Sequence, residues 1–107
     1  MSEAAAGSNA SEWRHMWGAK VKWPADMNDD MLKSAIDLAK EHVVPVADWQ
    51  NDGDEAVQTM KAEFDEKWEP YWHVVVGKDF GALVTHESRR FCYFYIEDKA
   101  FLMFKAG

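Results

Sequence analysis

At 107 residues, 48% of them apolar and with six Trp, six Phe and three Tyr, the chain has the material for one modest core and is not disordered throughout. Nineteen acidic against twelve basic residues give a net charge of −7, a field that opposes binding to nucleic-acid phosphates. Cys92 is the single cysteine, which excludes an intrachain disulfide and a cysteine metal cluster. No apolar run approaches the roughly 20 residues of a membrane helix, and no signal-peptide core is present, so a soluble protein of the cytosol or cytoskeleton, without membrane contact, is expected.

Residues 1–12 are small and polar and read as a disordered tail. A Trp-rich extension follows over 13–25, and the main domain over 26–107. Trp13, Trp17 and Trp23 stand among Arg14, His15 and Lys20. Such rings are costly to leave in water, so the segment either folds back on its own domain or docks on a partner. The alternation in Ala19-Lys20-Val21-Lys22-Trp23 predicts a short strand before Pro24.

A first helix begins at a cap, Asp26 or Asn28, with Asp29 and Asp30 in its first turn. Met31, Ala35, Leu38 and His42 recur at helical spacing, as do Leu32, Ile36, Ala39 and Val43, so the buried face is wide. Pro45 ends this helix. The stretch Pro45 to Gly53 reads as a loop pinned by Trp49. A second helix is predicted from Asp54 to Trp68, with Val57, Met60, Phe64 and Trp68 on its buried stripe. On its wet side Lys61–Asp65 and Glu63–Lys67 can pair one turn apart. Beyond Pro70 the chain reads as strand: Trp72 to Val76, a turn at Gly77-Lys78-Asp79, then Phe80 to Thr85, Arg90 to Ile96, a turn at Glu97-Asp98, and Lys99 to Lys105. The last two strands are apolar on both faces, which places them centrally in a sheet covered on both sides.

Chemistry is hard to place on this pattern. His42, His73 and His86 show no paired metal-ligand spacing, so no metal site or cofactor is expected. Cys92 lies in an aromatic strand, where a thiol is an inert core group. Ser88 is near His86 but has neither a nucleophile elbow nor a Gly-rich oxyanion loop, so the chain is not expected to be an enzyme. Phe91, Tyr93 and Tyr95 suggest a base-stacking platform, yet only Arg89 and Arg90 supply adjacent charge, and a packed sheet is the better reading.

The run Trp72-His73-Val74-Val75-Val76-Gly77-Lys78-Asp79-Phe80-Gly81-Ala82-Leu83-Val84-Thr85-His86-Glu87 is specific, as is the ending from Phe91-Cys92-Tyr93-Phe94-Tyr95 to Phe104-Lys105-Ala106-Gly107. Together with Glu63-Phe64-Asp65-Glu66-Lys67-Trp68 and Asp26-Met27-Asn28-Asp29-Asp30-Met31, they closely resemble the dynein light chains of the eight-kilodalton class. The resemblance implies an α+β fold, two helices packed on an antiparallel β-sheet, with one strand exchanged in a two-fold dimer. The exchanged strand corresponds to Phe80 to Thr85, and its outer edge receives a partner segment by β-strand addition. Carried over, the groove comprises Lys78, Phe80, Gly81, Ala82, Val84, Thr85, Tyr93, Tyr95 and Ala100. The dimer interface would hold His73, Leu83, Val84, Thr85 and His86, and protonation of a buried His73 would weaken it.

Departures from the family pattern point to a specialised member. Gly53-Asp54 stands where the family has an acidic residue followed by Lys, which hold the partner's glutamine. Ala82 and Leu83 replace a Ser and a Tyr, and Ala106 replaces a phosphorylatable Ser. The expectation is a non-catalytic light chain of a dynein motor, a homodimer or a heterodimer with a related light chain, mounted on dynein intermediate chains. Cytoplasm and cytoskeleton, with a ciliary or flagellar axoneme as the specialised site, are the expected locations. The alternative is a general dimerisation adaptor for disordered partners outside dynein.

Overall fold

The structure, a computed structural model, describes residues 13–23, 25, 27–78 and 91–105. Its Trp-rich segment is a β-hairpin in which β1 (Trp13–Met16) pairs antiparallel with β2 (Ala19–Lys22). Trp17 (φ 51°) and Gly18 (φ 84°) between them are both left-handed. That is the primed turn whose twist suits a hairpin, easy for Gly and strained for Trp. Packing holds the strain: Trp17 lies against the core, and its carbonyl accepts from Lys40 Nζ at 3.0 Å. The sequence predicts only the second of these strands, because Trp-Gly carries no familiar turn signature.

Asn28 caps α1 (Asp29–Leu38), its Oδ1 accepting from Met31 N at 2.9 Å. The two apolar stripes merge as expected, with Met31, Leu32, Ala35, Ile36, Ala39 and Val43 buried. The end of this helix differs from the expectation of a regular helix up to Pro45. Ala39–Val43 is a π-helical turn, wider by one residue than an α turn. Within it Lys40 reaches the hairpin, while His42 Nε2 lies 2.8 Å from Glu63 Oε2 on the next helix.

That next helix, α2 (Trp49–Trp68), starts at Trp49 rather than at Asp54. Asp48 is the reason. Its Oδ1 accepts from Asn51 N at 3.3 Å and its Oδ2 from Asn51 Nδ2 at 2.6 Å, which satisfies an otherwise orphaned first-turn donor. Gly53, read from sequence as the end of a loop, is buried inside the helix. Lys61 pairs with Asp65 at 2.7 Å as expected, whereas Glu63 turns to His42 instead of Lys67.

β3 (Trp72–Gly77), β4 (Phe91–Ile96) and β5 (Lys99–Lys105) complete a five-stranded sheet in the order β1-β2-β4-β5-β3, with every neighbour antiparallel. β4 and β5 are central, as their two apolar faces predict. Both helices lie on one face, where Val21, Cys92, Phe94, Phe101, Met103 and Trp72 meet Leu32, Ile36, Met60 and Phe64. Phe64 and Trp72 meet edge-to-face at 4.8 Å between centroids. Burial pushes the Cys92 thiol far above its usual range, so it stays protonated and inert. The opposite face carries Tyr93 and Ala100 packed with Trp13, Tyr95, Leu102 and Phe104. The expected strand Phe80 to Thr85 lies outside the described residues, as does the tail 1–12.

Two stability measurements test this account. Phe64→Ala should cost about 3–5 kcal/mol in urea unfolding, since it empties the joint between α2 and the sheet. Glu97 (φ 57°) opens the two-residue loop between β4 and β5, a position that favours glycine. Glu97→Gly should therefore raise the unfolding free energy by about 1 kcal/mol.

Candidate partner-binding surface

Among the described strands β3 is last in the sheet, paired only with β5. No strand among the described residues pairs with its other edge, which carries backbone N–H and C=O groups along β3, the Trp72 N–H being taken by Asp65 Oδ1 at 2.8 Å. Val74 and Val76 point towards the helices, while Val75, opposite Leu102, lies on the other face and is exposed. His73 is on that same outer face, stacked on Phe104 with 5.1 Å between centroids.

The strand register gathers several of the predicted groove residues into one row. His15, Lys20, Tyr95, Ala100 and Gly77 stand opposite one another across all five strands. Tyr93 and Tyr95 lie side by side, their hydroxyls 3.2 Å apart, with the Trp13 ring against both at 5.8 and 5.6 Å. Lys78 follows directly on Gly77, at the end of β3. The structure thus brings Tyr93, Tyr95 and Ala100 together and sets Lys78 beside their row. Phe80, Gly81, Ala82, Leu83, Val84, Thr85 and His86 lie outside the described residues.

Beside β3, on the helix side, two cavities share the Trp49 side chain as a wall. The first, about 230 Å³, lies between Trp49, Val76, Gly77, Lys78, Asp98 and Lys99. The second, about 410 Å³, runs along Trp49, Asp54, Val57, Gln58 and Val74. Lys99 Nζ is 5.4 Å from the Trp49 ring centroid. Sequence reading missed both Trp49 and Lys99 as lining residues. Placing the helix start at Asp48 would have put Trp49 one turn from Gly53, over the smallest residue in the helix.

Comparison with known proteins agrees with this fold of two helices on an antiparallel sheet. A family model described as dynein light chain type 1 matches residues 19–106. The chain belongs to the dynein light chain family. It is 42% identical over 83 residues to a dynein light chain of Schistosoma mansoni, covering 78% of this chain and 89% of that one. In fold it is similar to the dynein light chain-like domain of the Fasciola hepatica calcium binding protein FhCaBP2. One structure of that domain, a mercury derivative, gives a TM-score of 0.62 at 15% identity over 86% of this chain and 95% of the other. A native structure gives 0.51 at 18% identity over 73% and 76%. Among the described residues of this light chain, no group of three or more His, Cys, Asp or Glu is placed to hold a metal ion.

Against the family pattern, the Gly53-Asp54 departure acquires a structural setting. Gly53, the first residue of that pair, lies under the Trp49 ring. Because Asp48 holds the turn that presents Trp49, Asp48→Ala should cost about 1 kcal/mol and speed amide exchange at Asn51 and Asp52, with little change near Trp68.

Proposed function

We propose that this light chain is a non-catalytic subunit of a dynein motor complex that dimerises and holds intermediate-chain segments by β-strand addition on the β3 side of its sheet. The observation that carries the reading is that β3 is last among the described strands of the sheet, beside an outer face bearing Val75, Leu102 and Phe104. An edge of that kind is a template for a further strand, and backbone hydrogen bonds supply affinity whatever the side chains. The strand that crosses in the dimer corresponds to Phe80 to Thr85, and a partner segment is added outside it. Lys78, Phe80, Gly81, Ala82, Val84, Thr85, Tyr93, Tyr95 and Ala100 line the groove, and His73, Leu83, Val84, Thr85 and His86 meet the other subunit.

Residues 26–107 form the light chain domain in this reading, with 13–25 as an extension joined to its sheet. Its place is the cytoskeleton, and the divergence at Gly53-Asp54 and Ala106 suits a fixed position in an axonemal dynein. Two equivalent grooves suit a pair of intermediate chains, because the second engagement is intramolecular once the first is made.

Sedimentation equilibrium tests the assembly. The chain should be dimeric at micromolar concentration, alone or with a related light chain. Val75→Glu, which puts a charge on the outer face of β3, should move it towards monomer without loss of helix signal. A chain that sediments as a monomer at every concentration, with or without a related light chain, overturns the proposal. Titration calorimetry with the N-terminal segments of dynein intermediate chains then tests the partner.

A further inference from the structure

The Trp49 side chain raises a question that strand addition alone leaves open, namely which side chains the added segment must carry. In α2 an ideal Cβ built on Gly53 falls 2.7 Å from Trp49 Cδ2 and 2.9 Å from both Cε2 and Cε3. The indole therefore lies flat on the Gly53 backbone, and the ring and any side chain at 53 exclude each other. Trp49 is still 38% exposed, so one part of the ring remains available for contact. The Lys99 ammonium steadies it by a cation–π contact at 5.4 Å, while the ring borders the cavities on both sides.

We infer that Trp49, seated on Gly53, sets the partner preference of this light chain: the segment held between α2 and the sheet inserts a bulky apolar side chain against the indole and turns a basic residue towards Asp54. This inference rests on the strand-addition reading. The first cavity, about 230 Å³, has room for one large side chain; Trp49, Val76 and Gly77 give it an apolar side, while Lys78, Asp98 and Lys99 complete its lining. Its exposed lining is mostly apolar, so a bulky apolar side chain gains more there than an amide, which must give up water on entering. The surrounding charge chooses the flanks. Asp48, Asp52, Asp54 and Glu55 crowd the first turns of α2 in a chain of net charge −7, and only Asp54 among them borders the second cavity. A basic neighbour in the partner segment complements that field both in steering and in final contact.

The test is selection from a phage-displayed library of random peptides on the intact wild-type chain and on Trp49→Ala, Trp49→Phe and Gly53→Glu. Wild type should enrich peptides sharing Leu, Ile, Met or Phe at one position, with Lys or Arg nearby. Trp49→Ala should weaken binding of the selected peptides by at least about ten-fold and erase the preference, and Trp49→Phe should retain it. Gly53→Glu, which evicts the ring, should also erase it. Equal melting temperatures and dimer sedimentation for wild type and Trp49→Ala exclude misfolding as the cause. The inference is overturned if Trp49→Ala keeps the same apolar preference, or if wild type selects glutamine at that position. A wild-type dimer that selects no peptide family at all would instead overturn strand addition itself, and this inference with it.

Discussion

The carboxylate of Asp65 is the joint on which the geometry of this protein turns. One oxygen accepts from the backbone N–H of Trp72 at 2.8 Å, and the other takes the Lys61 ammonium at 2.7 Å. Phe64, one residue before, drives into the Trp72 ring at 4.8 Å. Together these fix the end of α2 to the beginning of β3, with the charge partly screened and the rings fully buried. From that joint the two elements run back alongside each other. Sixteen helical steps from Asp65 back to Trp49 span about 24 Å. Five strand steps from Trp72 to Gly77 span about 17 Å. Both elements run away from the joint in the same sense, and Trp49 borders the same cavity as Val76 and Gly77.

The same joint explains why the candidate groove is a property of the scaffold. Its floor is β3, which cannot slide without breaking six paired positions with β5. Its wall is the capped first turn of a twenty-residue helix whose far end is anchored. The hairpin is tied in from a third direction, through Lys40 to the Trp17 carbonyl and through Trp13 to the two tyrosines. The tryptophans of the extension are thus consumed within the chain's own fold, where sequence left a docking role equally open.

Much of this was readable from residue order. The stripes Met31–Ala35 and Leu32–Ile36, and Met60–Phe64, mark helices because 3.6-residue periodicity leaves few alternatives. The family resemblance and the central place of β4 and β5 followed from short, dense motifs. What escaped reading depended on contacts distant in sequence. Nothing local shows that Glu63 will prefer His42 to Lys67, because that pairing exists only once α1 has been laid on α2. Gly53 reads as a helix breaker until Trp49 is seen to occupy the space its missing side chain leaves. The π turn at Ala39–Val43 keeps the same apolar positions as an α turn, so periodicity does not register it. For the groove, Tyr93, Tyr95 and Ala100 were named from resemblance and fall together in the fold, while the residues from Phe80 to His86 stand on resemblance alone.

The two rims of the sheet, finally, are unequal in their suitability for growth. β1 is four residues long and carries Arg14 and His15, both exposed, and short charged rims discourage further pairing. β3 is six residues long, has no Asp, Glu, Lys or Arg, and bears three consecutive valines of high strand propensity. Among the described residues, then, the sheet is polar in the sense that a crystal or a filament can be polar. One end discourages addition and the other invites it, so that assembly has a direction before any partner has been chosen.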